Sequence, residues 1–197
     1  MKQHKLFTTA IFIFSLFLFF STIKTEAQEE EKPRPSLMAA TMQRIGVDTD
    51  ITIKYSRPGV KGRVIWGDLV PYGMAEGNKY SDNKPYPWRG GANEATTIEF
   101  SKDVMIEGNL VPAGKYSMHF IPVEDGAWKI MFNKNADMWG SYQYDPDQDV
   151  LQIEVTPVEA PFHEWLTYGF DNLNGTSTTA YLAWEKVKVP FEISTVE

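Results

Sequence analysis

The sequence predicts an all-β fold: a single β-sandwich, jelly-roll-like or immunoglobulin-like, of about eight to ten strands, with one long ordered loop region. Three observations predict it. Short stretches alternate apolar and polar residues, and turn-forming residues punctuate them. Beyond the N-terminus, no run of a dozen residues repeats with the helical period of about 3.6 residues.

The stretches follow one another along the chain. Ile51, Ile53 and Tyr55 alternate with Thr52 and Lys54. Val104–Ile106 and Leu110–Val111, joined by Glu107-Gly108-Asn109, read as a small hairpin. Tyr116, Met118 and Phe120 alternate with Ser117 and His119, and Trp128, Ile130 and Phe132 with Lys129 and Met131. Leu151, Ile153 and Val155 alternate with Gln152 and Glu154. Thr179, Tyr181 and Ala183 come next, then Val187, Val189, Phe191 and Ile193. Successive strand side chains point to opposite faces, so each stretch offers one apolar face to a core. Pro112-Ala113-Gly114, Glu124-Asp125-Gly126, Asp145-Pro146-Asp147 and Asn174-Gly175 supply the turns. Ala136 to Tyr142 has room for one helical turn at most.

The first residues set the setting. Lys2 and Lys5 precede an apolar run from Leu6 to Phe20, and Thr25-Glu26-Ala27 places small residues where a signal peptidase reads. Residues 1–27 therefore read as a signal peptide, the run being shorter than the roughly 20 residues a membrane span needs. Residues 28–35, charged and proline-bearing, read as a flexible leader, and 36–197 as one sandwich domain. No membrane span is expected after cleavage.

Composition narrows the function. The chain carries −7, which cleavage would take to −9, so nucleic acid is a poor partner. It has no cysteine, which excludes disulfides, thiolate metal sites, a cysteine nucleophile and a lipid-bearing N-terminal cysteine. Stability must come from the core, and 6 Trp, 9 Tyr and 12 Phe supply large rings for it.

Residues 56–95 break the rhythm. They are rich in Gly, Pro and charge, too long for an ordinary connection, and contain Tyr72, Tyr80, Tyr86 and Trp88. Such rings imply a segment packed on the sandwich, and the first place to look for a site. Here the chain also resembles a known family. Tyr55-Ser56-Arg57-Pro58, Lys61-Gly62-Arg63, Leu69-Val70-Pro71-Tyr72-Gly73 and Trp88 to Thr97 occur in order. Pro112 to Tyr116, Phe132-Asn133, Trp139-Gly140-Ser141 and His163 to Tyr168 follow downstream. The set resembles the exported bacterial family called domain of unknown function 2911, common in the Bacteroidetes, over roughly Leu37 to Ile193. Met74 to Pro87 looks like the insert of its longer-loop branch. The resemblance implies an all-β periplasmic or secreted domain, and brings no catalytic residue with it.

The leading candidate site is Arg57, Arg63, Tyr72, Trp88, Arg89, Asn93 and Glu94. Guanidinium forks bind carboxylate or phosphate, while rings with Asn and Glu suit a sugar. The alternative is that the arginines satisfy loop carbonyls and pair with Asp68, Glu94 or Asp103. Gly90-Gly91 reads as tight backbone packing. A second set, His119, His163 and Glu164, suits a zinc-type ion or a general base if their strands are neighbours. The alternative for it is a satisfied or solvent-facing histidine in each case, His119 lying on the polar side of its strand. Ser56, Ser81, Ser101, Ser117 and Ser141 lack a nucleophile-elbow motif. Asp145 to Asp149 reads as an exposed turn rather than a calcium loop, and Asn174-Gly175-Thr176 as a hairpin turn rather than a glycosylation site. The expected function is a non-catalytic exported module, periplasmic rather than fully secreted, with no cofactor. Its expected partner is a small organic anion or glycan, or an envelope protein. A metal-assisted hydrolase and a structural module of the cell envelope are the alternatives.

Overall fold

The structure, a computed structural model, describes residues 32–196. The proposed signal peptide and the leader up to residue 31 lie outside the described residues. Ten strands form two antiparallel sheets packed face to face. β1 (Leu37–Ile45), β2 (Thr49–Arg57), β3 (Thr96–Phe100), β6 (Gly114–Ile121), β7 (Trp128–Asn133) and β8 (Asp149–Val155) form the larger sheet, in that spatial order. The smaller sheet runs β5 (Asn109–Val111), β4 (Val104–Ile106), β10 (Ser177–Thr195), β9 (Val158–Asp171). Among the described residues no helix is long and apolar enough to cross a membrane.

One core lies between the sheets. Ile51, Ile53, Ile98, Met118, Phe120 and Ile130 meet Leu182, Trp184, Val189, Phe191 and Ile193 across it, and the Phe132 and Phe191 rings touch at 5.9 Å. Each large side chain fully removed from water contributes about 1.5–3 kcal/mol, which lets a cysteine-free chain hold this shape. The hairpin at Glu107-Gly108 forms as the turn residues predict, both in the left-handed region.

β10 corrects the alternation expected near the C-terminus. Ala180, Leu182 and Trp184 face the core, while Thr179 and Tyr181 are half-exposed. Both faces of this stretch are semi-apolar, so sequence alternation does not decide which one turns inward. Pairing with β9 then slips around Glu185, whose φ of 56° marks a bulge. The left-handed backbone at Glu185 flips the parity, and Val189, Phe191 and Ile193 turn inward. The two C-terminal stretches are thus one bent strand. β1 and β3, which the alternation did not single out, complete the larger sheet.

Two irregular segments cover this frame. Residues 58–95 bridge the sheets. Val60 N donates to Glu164 O at 2.8 Å and Leu166 N to Pro58 O at 3.0 Å, on β9. Trp88 exchanges two backbone hydrogen bonds with Phe120, on β6. Residues 134–145 lie on the outer face of the larger sheet, fastened by Ala95 N to Met138 O at 3.0 Å.

Candidate functional site

The bridging segment carries its own apolar anchors. Val60, Ile65 and Val70 are buried in the common core, and Trp66 and Trp88 pack against it. Trp66 touches Trp88, Trp128 and Trp184 edge to face at 5.7, 4.9 and 5.9 Å. Trp88 and Trp184 stack at 6.1 Å with an interplanar angle of 17°. Four of the six tryptophans thereby meet, two from strands and two from the segment. Edge-to-face and offset pairs add about 0.5–1.5 kcal/mol each beyond their burial. Gly90 makes the close approach possible. Its φ is 61°, and a Cβ there would lie 2.4 Å from both the Phe120 ring and the Tyr168 hydroxyl. The carbonyl of Gly90 accepts from Tyr168 Oη at 2.9 Å and Thr96 Oγ1 at 3.2 Å. Tight packing is therefore what Gly90 provides.

Against this cluster lies a cleft of about 340 Å³, lined by Lys61, Arg63, Trp88, Arg89, Asn93 and Trp184 among others, with no acidic side chain. Four of the seven residues expected from sequence line it together. The other three lie elsewhere. Arg57 donates to Leu166 O at 2.9 Å and Thr167 Oγ1 at 2.7 Å, stitching β2 to β9. Tyr72 lines a separate, smaller cleft beside Trp66 and Trp128. Glu94 faces the outer surface of the larger sheet, where Arg34 pairs with it and holds its carboxyl below the usual range.

The arginines do satisfy loop carbonyls. Arg63 Nε donates to Val60 O at 3.1 Å and Nη2 to Gly59 O at 2.5 Å, while Arg89 Nη1 donates to Asn93 O at 2.6 Å. Among the described residues, none of Arg57, Arg63 and Arg89 is ion-paired with Asp68, Glu94 or Asp103. Their charge is thus positioned by backbone and left uncancelled. Sequence reasoning missed Lys61 and Trp184. Lys61 sits within the motif already noted. Trp184 comes from β10, and nothing local relates it to the segment it stacks on.

The second candidate set does not assemble. His163 and Glu164 lie on β9 of the smaller sheet, and Glu164 Oε1 accepts from the Lys61 backbone at 2.9 Å. His119 lies on β6 of the larger sheet. Among the described residues no three His, Asp or Glu side chains are grouped to hold one metal ion. His119 is also not on an open polar face: it is wholly buried beneath residues 134–145. The reason is a polar network. Ser117 Oγ donates to Asn135 O at 2.8 Å, so it accepts from His119 Nε2, 2.8 Å away. That leaves Nδ1 to accept from Ser141 Oγ at 2.7 Å. The Tyr144 ring meets the imidazole edge to face at 5.0 Å, and its hydroxyl donates to Asp149 at 2.6 Å.

Burial, helped by the nearby Arg89 charge, lowers the His119 pKa to about 3, so the ring stays neutral. A serine donating to an imidazole is half of a nucleophile–base pair. Ser141, however, is fully buried, with no surface for a substrate to reach. The network acts as a clamp that seats residues 134–145 on the sheet.

No curated protein and no solved structure matches the chain significantly. A family profile does: the one described as protein of unknown function, DUF2911, matches residues 36–193. That span takes in the tryptophan cluster, every strand but the last two residues of β10, and all of the cleft's lining but Pro35. The chain belongs to the DUF2911 family.

Proposed function

We propose that this is an exported, non-catalytic binding module whose ligand is a small organic anion seated on Trp88. One observation carries the reading: Lys61 and Arg63, with no acidic side chain beside them, line a cleft against Trp88 on a protein of net charge −7. In an acidic surface such a patch focuses negative ligands toward it. The guanidinium groups are already oriented by carbonyls, so little side-chain freedom is lost on binding. Arg63 keeps its Nη1 group for a ligand.

The test is thermal shift with citrate, succinate, glucuronate and glycerol phosphate at millimolar concentration. At least one is expected to raise the melting temperature. A Lys61→Glu, Arg63→Glu double variant is expected to abolish that rise. Retained stabilisation in the double variant, or silence across all four anions, would refute the assignment.

A further inference from the structure

A second cleft, on the outer face of the larger sheet, has a different chemistry. It measures about 490 Å³ and is lined by Tyr80, Asp137, Met138, Trp139, Tyr142 and Gln143. Three of its six side chains are rings, and Asp137 and Gln143 add polar groups to those of the rings. Tyr80 and Trp139 are 63% and 53% exposed, unusual for rings of this size on a surface with a well-filled interior.

The rings are held in place rather than free. Tyr142 lies 5.6 Å from Tyr80 at 35° and meets Tyr86 edge to face at 5.0 Å. Arg89 backs it at 5.3 Å, and Asn78 Nδ2 donates to the Tyr86 hydroxyl at 3.0 Å. The His119 clamp beneath Ser141 and the Ala95–Met138 hydrogen bond fix the backbone that carries Trp139 and Tyr142. A second cleft of about 440 Å³ adjoins it and shares Asp137, Met138 and Trp139. Polar side chains Lys54, Ser56, Thr97 and Lys115 line that neighbour.

We infer that this paired cleft binds a neutral oligosaccharide, with sugar rings seated along Tyr80, Tyr142 and Trp139. A pyranose presents an apolar C–H face that stacks on an aromatic ring, and a rim of hydroxyls. Asp137 and Gln143 offer the acceptors and donors that such hydroxyls need. Cations do flank the rings, Arg34 over Trp139 and Lys79 over Tyr80, but Arg34 pairs with Glu94 and Lys115 with Asp137, so matched charges around the paired cleft favour a neutral sugar. The rigid rings lower the ordering cost of binding. This site is separate from the anion cleft and does not depend on it.

The test uses the protein from residue 28 onward in affinity gel electrophoresis against soluble β-glucan, xylan, amylose and mannan, with alginate as the acidic control. Intrinsic fluorescence titration with the matching hexasaccharides gives affinities. At least one neutral polymer is expected to retard the protein. Trp139→Ala and Tyr80→Ala are each expected to weaken binding tenfold or more at an unchanged melting temperature, since both rings are surface groups. Arg63→Glu is expected to leave retardation unchanged. Retardation by alginate alone, no retardation by any neutral polymer, or unchanged affinity in the Trp139→Ala, Tyr80→Ala double variant would overturn the assignment.

Discussion

Residues 58–95 and residues 134–145 both leave the strands and fold back over them, yet one is fastened by indole rings and the other by hydrogen bonds. The first drives Val60, Ile65, Val70, Trp66 and Trp88 into the common core. The second hangs on Ser141, which meets a buried imidazole directly, and on Asn135, which reaches it through Ser117. Apolar anchoring is non-directional and scales with area removed from water. Hydrogen-bonded anchoring works in one geometry and one protonation state. The same sandwich therefore carries one cover that resists changes of pH and one that should not.

The largest expected effect breaks the apolar anchor. Trp184 is fully buried and touches both Trp66 and Trp88, so Trp184→Ala removes the floor under the first segment. Its cost is expected to be about 3–5 kcal/mol, from lost transfer energy and the cavity left behind. Denaturant unfolding of the two proteins measures it. A loss below about 1 kcal/mol would mean that the cluster collapses to fill the space, and that the segment does not depend on it.

Two glycines sharpen the same contrast. Gly90 and Gly140 both sit at positive φ, 61° and 69°, one in each segment. A Cβ on Gly90 would meet the buried Phe120 ring and Tyr168 hydroxyl at 2.4 Å. On Gly140 it would meet the Arg89 guanidinium at 2.6 Å, the far end of a flexible side chain. Both variants carry the left-handed backbone penalty of about 1–2 kcal/mol. Gly90→Ala adds overpacking, for a total of about 2–4 kcal/mol, whereas Arg89 can swing aside from an alanine at 140. Unfolding midpoints that rank the two variants the other way would show that Arg89 is the more tightly held group.

Much of the frame was legible in the sequence, because strands such as Ile51–Tyr55 and Trp128–Phe132 bury one face and carry Lys54 or Lys129 on the other. β1 escaped because Leu37, Met38, Ala39, Ala40 and Met42 spread apolar residues over both faces of an edge strand. β10 misled because a bulge at Glu185 changes parity within one strand. In the first segment, Arg63, Trp88, Arg89 and Asn93 were legible as a group, since their own stretch supplies most of the cleft. The burial of His119 was not. Its cover comes from residues some twenty positions downstream, and the contact is polar, so no apolar periodicity announces it. The one local hint is that Ser117 and His119 are small or neutral where Lys115 and Lys129 mark the open part of the same face.

The hydrogen-bonded cover yields the most discriminating measurement, although its effect is the smallest. In the folded protein His119 titrates near 3, against an ordinary value of about 6.5 in the unfolded chain. Below 6.5 the unfolded chain takes up a proton that the folded protein refuses. Stability from this group is therefore intact above pH 6.5 and is lost as pH falls toward 3. Between pH 7 and pH 5 the loss is expected to be about 2 kcal/mol. His119→Gln, which keeps hydrogen-bonding capacity without the titration, should start less stable and yet show a flatter decline over that interval. Every other titratable group is common to both proteins, so the difference between the two slopes isolates His119. Parallel slopes would mean that the imidazole is protonated within the fold, and that the cover is held by something other than a neutral ring between two serines.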